Sequence, residues 1–161
     1  MAVREVIIYP DPILRNKNTE VTTFDEDLKK LTDDMFDTMY EFEGIGLAGP
    51  QIAVNKRIVV IDIGDGPLVM LNPEIIDKKG SQTGDEGCLS VPGKSGQVTR
   101  PNYVKVKALD ENMEEVIYEG EGLLARAFCH EIDHLDGHLY VEKVEGELHE
   151  VTYEEEDLEE E

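Results

Sequence analysis

Apolar side chains at Phe24, Leu28, Leu31, Met35, Met39 and Phe42 recur every three or four residues among acids and lysines. That period belongs to a helix with one apolar face, so the stretch predicts an N-terminal amphipathic helix. Thr23 and Glu26 stand at capping-box spacing before it, and Gly44 can end it in a left-handed conformation. The methionines and aromatics of this stripe read as core-packing residues, not as a cofactor site. Further on, the period changes. Residues 57–63 and 68–76 read as strands separated by Gly64-Asp65-Gly66-Pro67. Residues 103–109 alternate from side to side, and Asp110-Glu111-Asn112 leads to another strand near 115–118, which suggests a hairpin. A second helix begins near Gly122, with Leu123, Ala127, His130 and His134 on one face and Leu124, Phe128 and Leu135 close beside. Gly137 supplies its stop, and Tyr9-Pro10-Asp11-Pro12 reads as an extended or turning segment. Strands with two separated helices indicate an α+β fold, with the second helix packed on antiparallel sheet.

Length and charge narrow the picture. A chain of 161 residues fits one domain and can bury roughly 68–70% of its unfolded surface. A formal charge of −22 should repel nucleic-acid phosphates and anionic membranes, so direct binding to either is not expected. Seven acids lie between Glu154 and Glu161, so residues 145–161 read as a flexible, solvated acidic tail following a domain over residues 1–144. The N-terminus shows no signal-peptide pattern, and Ile58-Val59-Val60-Ile61 is far too short to cross a bilayer. Two cysteines, Cys88 and Cys129, do not make a secreted disulfide framework. A reducing cytoplasm is the expected compartment, where a free thiolate is available as a ligand.

The chemistry concentrates in His130-Glu131-Ile132-Asp133-His134. Imidazoles four residues apart on a helix project one turn apart on the same face and can hold one metal ion, while the intervening glutamate reaches a water. The pattern argues for metal-assisted hydrolysis. A catalytic metal usually takes three protein ligands and keeps an open position. His138 follows a glycine that turns the chain away, and His149 lies near the acidic tail. Cys129 points about 100° around the helix from His130 and reads as a small buried hydrophobe. Cys88, in Glu86-Gly87-Cys88-Leu89-Ser90, is either the third ligand or a structural thiol on spacing alone. Gly44-Ile45-Gly46-Leu47-Ala48-Gly49-Pro50-Gln51 lacks the Walker lysine and the Rossmann spacing, so it is a poor phosphate loop.

Taken in order, these segments resemble the peptide deformylase family, which carries Gly-x-Gly-x-Ala-x-x-Gln, then Glu-Gly-Cys-Leu-Ser, then His-Glu-x-x-His on a helix. The resemblance spans roughly residues 4 to 144 and includes 9–15 near the N-terminus. It departs at Gly49, where the family usually has alanine, a change expected to loosen the loop. It departs again at the acidic end, where some bacterial relatives have a basic helix for ribosome docking.

The resemblance implies antiparallel sheets packed around a central helix that bears the His-Glu-x-x-His segment. It assigns Cys88, His130 and His134 as metal ligands, with Fe(II) native and zinc, nickel or cobalt able to replace it. It makes Glu131 the general base, with the Gln51 side chain and the Leu89 N–H stabilising an oxyanion. Ile45, Leu123, Arg126 and Ala127 would line the pocket for the methionine side chain. Gly46 would present its backbone to the peptide, which lies alongside like an added strand. Arg100 would pair with Glu86 to brace the Cys88 loop, with Asp133 supporting or capping nearby. The implied substrate is an N-formylmethionyl nascent chain at the ribosome, handled by a monomer. Two rivals remain: a small endopeptidase, which leaves the cysteine segment unexplained, and a non-enzymatic metal module, which lacks a fourth ligand.

Overall fold

The computed structural model describes residues 3–9, 11–64 and 66–150, with the backbone alone from 146 onward. Its elements are α1 (Glu26–Glu41), β1 (Gly46–Ala48), β2 (Ile58–Ile61), β3 (Leu68–Lys79), β4 (Gln82–Cys88), β5 (Val91–Arg100), β6 (Tyr103–Leu109), β7 (Glu115–Glu121), α2 (Leu123–Leu135) and β8 (Glu145–Glu150). The fold is mixed, with the strands in two antiparallel sheets ordered β1-β2-β3-β6-β7 and β4-β5-β8.

Around β2 the larger sheet is covered on both faces. Val59 and Ile61 pack with Met70, Val104 and Val106 against Phe128, Ile132 and Leu135 of α2. Ile58 and Val60 point the other way, into Leu28, Leu31, Met35 and Met39 of α1. This is why β2 is apolar at every position: no face of it meets water, and all four side chains are fully buried. Burial of each such side chain contributes about 1.5–3 kcal/mol. A third cluster, with Leu14, Val91, Val98, Leu139 and Tyr140, fills the smaller sheet.

Several boundaries differ from the sequence expectation. Asp25 caps α1, its side chain accepting from Leu28 N–H at 2.9 Å, so the expected Thr23–Glu26 box is not the cap. The helix ends at Glu41, and Glu43, not Gly44, takes the left-handed conformation, with φ 57°. The Gly-rich segment forms β1 and a 3-10 turn over Gly49–Ile52. Residues 145–150, assigned to the tail by composition, instead form β8 beside β5. Residues 151–161 lie outside the described residues, so the acidic end is not placed. The hairpin is present as β6–β7, and Gly137, with φ 79°, closes the end of α2.

Candidate active site

The two sheets meet where α2 passes between the Gly49–Ile52 turn and the β4–β5 turn. Gly46 is required by close approach: a Cβ there would fall 2.6 Å from Glu131 Oε2. Gly49 is equally constrained, because a Cβ would lie 2.7 Å from the Val54 carbonyl and 2.9 Å from that of Lys56. The departure from alanine therefore does not loosen this loop. It lets residues 53–56 fold tightly back, with Val54 N–H donating to Gly49 O at 3.0 Å.

Cys88, His130 and His134 each offer a ligand atom, and these atoms lie within 4.8 Å of one another. Cys88 Sγ is 3.3 Å from His134 Nε2. His130 Nδ1 lies 2.8 Å from Glu86 Oε1, so its Nε2 is left for the site. Soft sulfur and imidazole nitrogens converging with no fourth protein ligand among the described residues fit a divalent cation that keeps a position for water or substrate. His138 is exposed beside Glu142, and Cys129 is buried in the α2 core cluster, so neither joins them.

Glu86 is the hub behind this triad. Arg100 donates to both its oxygens, at 2.9 and 2.8 Å, and Arg126 Nη1 donates to Oε2 at 2.6 Å. Burial alone would raise the Glu86 pKa, but the bonds from Arg100 and His130 outweigh it and hold the carboxyl well below the usual range. Arg100 also reaches Asp133 Oδ2 at 2.6 Å, tying the Cys88 strand to α2.

Glu131 has a different environment. Burial pushes its pKa up to about 7, against the opposing pull of His130. Its Oε1 and His134 Nδ1 are buried without a hydrogen-bond partner among the described residues. Burial likewise lowers the His134 pKa well below the ordinary imidazole value. A buried carboxyl that lines the cavity and titrates near neutral pH is suited to exchanging a proton at physiological pH.

A cavity of about 810 Å³ opens onto this group, lined by Ile45, Gly46, Gln51, Cys88, Leu89, His130 and Glu131 among others. The Gln51 amide is fixed at both ends. Its Oε1 accepts from Ala48 N–H at 2.9 Å, and its Nε2 donates to Ser90 Oγ at 3.1 Å and more loosely to Cys88 Sγ at 3.4 Å. Three residues expected on the methionine pocket stand elsewhere. Leu123 is 51% exposed and outside the lining, Ala127 packs in the α2 core, and Arg126 is turned into Glu86. The Arg126 position had a readable signal. It precedes His130 by one helical turn, so it shares the face on which that histidine meets Glu86.

A cysteine sulfur and two imidazoles gathered beside a buried carboxyl group, in a cavity on a mixed α/β frame, fit a metal-dependent hydrolase. Residues 3–149 match the sequence profile of the polypeptide deformylase family. A peptide deformylase from Agathobacter rectalis is 63% identical over 154 residues, covering 96% of this chain and 98% of that protein. Peptide deformylase 1 from Bacillus subtilis is 51% identical, covering 89% of this chain and 91% of that protein. The crystal structure of peptide deformylase from Thermotoga maritima superposes with a TM-score of 0.88 at 39% identity, covering 91% of this chain and all of that one. The chain belongs to the peptide deformylase family, enzymes that remove the formyl group from newly made polypeptides and release formate.

Proposed function

We propose that Cys88, His130 and His134 hold the catalytic cation, and that Glu131, Gln51 and Leu89 carry the hydrolysis of an N-formylmethionyl end. The observation that supports this most is the convergence of the three ligand atoms within 4.8 Å beside buried Glu131. A divalent cation bound there supplies Lewis acidity and lowers the pKa of water. Glu131 takes the proton of the attacking water and returns it to the departing amine as the formyl C–N bond breaks. One such proton transfer is typically worth ~10²–10⁴ in rate. The Gln51 amide, already held by Ala48 and Ser90, exchanges its long bond to Cys88 for one to the developing oxyanion. The Leu89 N–H, which follows the ligand cysteine, donates to the same oxygen, and one such donor is commonly worth ~10²–10³.

Ile45 and Gly46 line the cavity and receive the methionine side chain and the peptide backbone. Arg100, Glu86 and Asp133 orient His130 and brace the Cys88 loop. The cation is Fe(II) in the cell, with zinc, nickel or cobalt as substitutes, since this donor set suits several borderline metals. The enzyme acts as a monomer in the bacterial cytoplasm on chains leaving the ribosome. Bacterial relatives support this setting, and among the described residues no helix is long and apolar enough to cross a membrane.

The test is one anaerobic preparation on which bound metal and formate release from formyl-Met-Ala-Ser are both measured. One equivalent of divalent metal, with turnover lost on chelation and regained on re-addition of Fe(II), supports the proposal. Full turnover without metal would remove it.

A further inference from the structure

The segment before the first helix crosses the seam between the two sheets at the site. Ile7 N–H donates to the Gln51 carbonyl at 2.7 Å, and Tyr9 N–H donates to the Ser90 carbonyl at 2.7 Å. Gln51 lies in the turn after β1 of the larger sheet, whereas Ser90 lies in the β4–β5 turn of the smaller one. Two alternate backbone donors of one extended strap therefore grip both loops. The strap is itself anchored on α1. Arg4 N–H donates to Thr38 Oγ1 at 2.8 Å, and its guanidinium donates to Asp34 Oδ2 at 3.0 and 2.8 Å. Glu5, Val6 and Ile8 of the same segment line the cavity.

We propose that the strap is a positioning element for the reaction: the Tyr9 and Ile7 main-chain N–H groups set the separation between the two oxyanion donors, the Gln51 amide and the Leu89 N–H. This rests on the donor roles proposed above for Gln51 and Leu89. The donors come from different sheets, and neither belongs to α2, which carries the histidines. Their mutual distance is therefore controlled by what crosses the seam. The direct links are made by the Gln51 side chain alone, Nε2 donating to Ser90 Oγ at 3.1 Å, a hydroxyl that can rotate, and more loosely to Cys88 Sγ at 3.4 Å. The strap fixes the main chain of both loops at once. A displacement of about 1 Å at a reacting centre can cost about 10²-fold in rate.

A single position separates the backbone donor from its side chain. Tyr9 is the second residue of a turn closed by Asp11 N–H to Ile8 O at 3.0 Å, a position that accepts proline. Tyr9→Pro removes the N–H, whereas Tyr9→Ala removes the ring and keeps the N–H. With metal content matched, kcat of Tyr9→Pro should be at least about tenfold below that of Tyr9→Ala, with KM within about twofold. In the Gln51→Ala background the same Pro-for-Ala comparison should shrink to less than about twofold, because the donor being positioned is gone. Amide exchange at Leu89 should be faster in Tyr9→Pro than in Tyr9→Ala, a readout independent of turnover. Arg4→Ala should lower kcat in the same direction, with partial rescue by Arg4→Lys. Equal kcat for Tyr9→Pro and Tyr9→Ala, or a Pro penalty undiminished beside Gln51→Ala, would overturn the strap's role. If Gln51→Ala alone left kcat unchanged, the donor reading itself would fall, and this inference with it.

Discussion

Glu131 occupies the space that a side chain at Gly46 would need: a Cβ at Gly46 would stand 2.6 Å from Glu131 Oε2 and 2.8 Å from its Cγ. The edge strand and the carboxyl of the helix thus share one space. The relationship predicts that Gly46→Ala retains bound metal but lowers formate release at least about tenfold, because Glu131 must turn away. Metal analysis beside a formate assay checks it, and turnover near that of the parent protein would show that Glu131 has room to spare.

Glu131→Gln should retain metal and fold while losing on the order of 10²–10⁴ in turnover. The substitution keeps the shape and removes the proton acceptor. The readout is kcat at matched metal content.

Glu86 should make the metal-free protein acid-sensitive. Its folded pKa is depressed by Arg100 and His130 against the cost of burial, so the unfolded chain takes up its proton first as the pH falls. Its stabilisation is present above the unfolded carboxylate range and is lost as pH drops below about 4.5 towards the lower folded value. Denaturant unfolding of metal-free protein from pH 6 to pH 3 should show this slope, and Glu86→Gln should flatten it. A Glu86→Gln curve parallel to that of the parent protein would place the acid sensitivity elsewhere.

Gly49→Ala, which restores the residue usual in the family, should destabilise this chain. The added methyl meets the Val54 and Lys56 carbonyls at 2.7 and 2.9 Å, which are backbone atoms that cannot rotate aside. Overpacking of this kind costs about 1–3 kcal/mol. A lowered denaturation midpoint with an unchanged m-value would confirm it, and an unchanged midpoint would show that residues 53–56 give way.

What the sequence disclosed tracks how local each determinant is. Both helices and β2 were legible because their apolar residues follow one period against one or two covered faces. β4 and β5 were not, since Gln82–Cys88 and Val91–Arg100 are rich in polar residues and glycine, and their pairing depends on each other. β8 was hidden for a similar reason: Glu145–Glu150 reads as the start of an acidic tail until β5 supplies an edge. Asp25 displaced the expected capping box because either Thr23 or Asp25 can cap, and only backbone geometry chooses between them.

At the site, the proximity of Cys88 to the two histidines could be proposed only from resemblance, since 42 residues separate it from His130 along the chain. Arg126 was assigned to the methionine pocket by resemblance; what spacing along the chain did not disclose is that its guanidinium pairs with the buried Glu86 carboxylate that also holds His130.

The proposed chemistry requires that one sulfur and two imidazole nitrogens bind one cation. X-ray absorption at the metal edge of the zinc-loaded protein tests it most directly. One sulfur at about 2.3 Å and two nitrogens at about 2.0–2.1 Å are expected, with the sulfur lost in Cys88→Ser and retained in Cys129→Ser. A shell of nitrogen and oxygen alone in the parent protein, or a sulfur that survives Cys88→Ser, would contradict it.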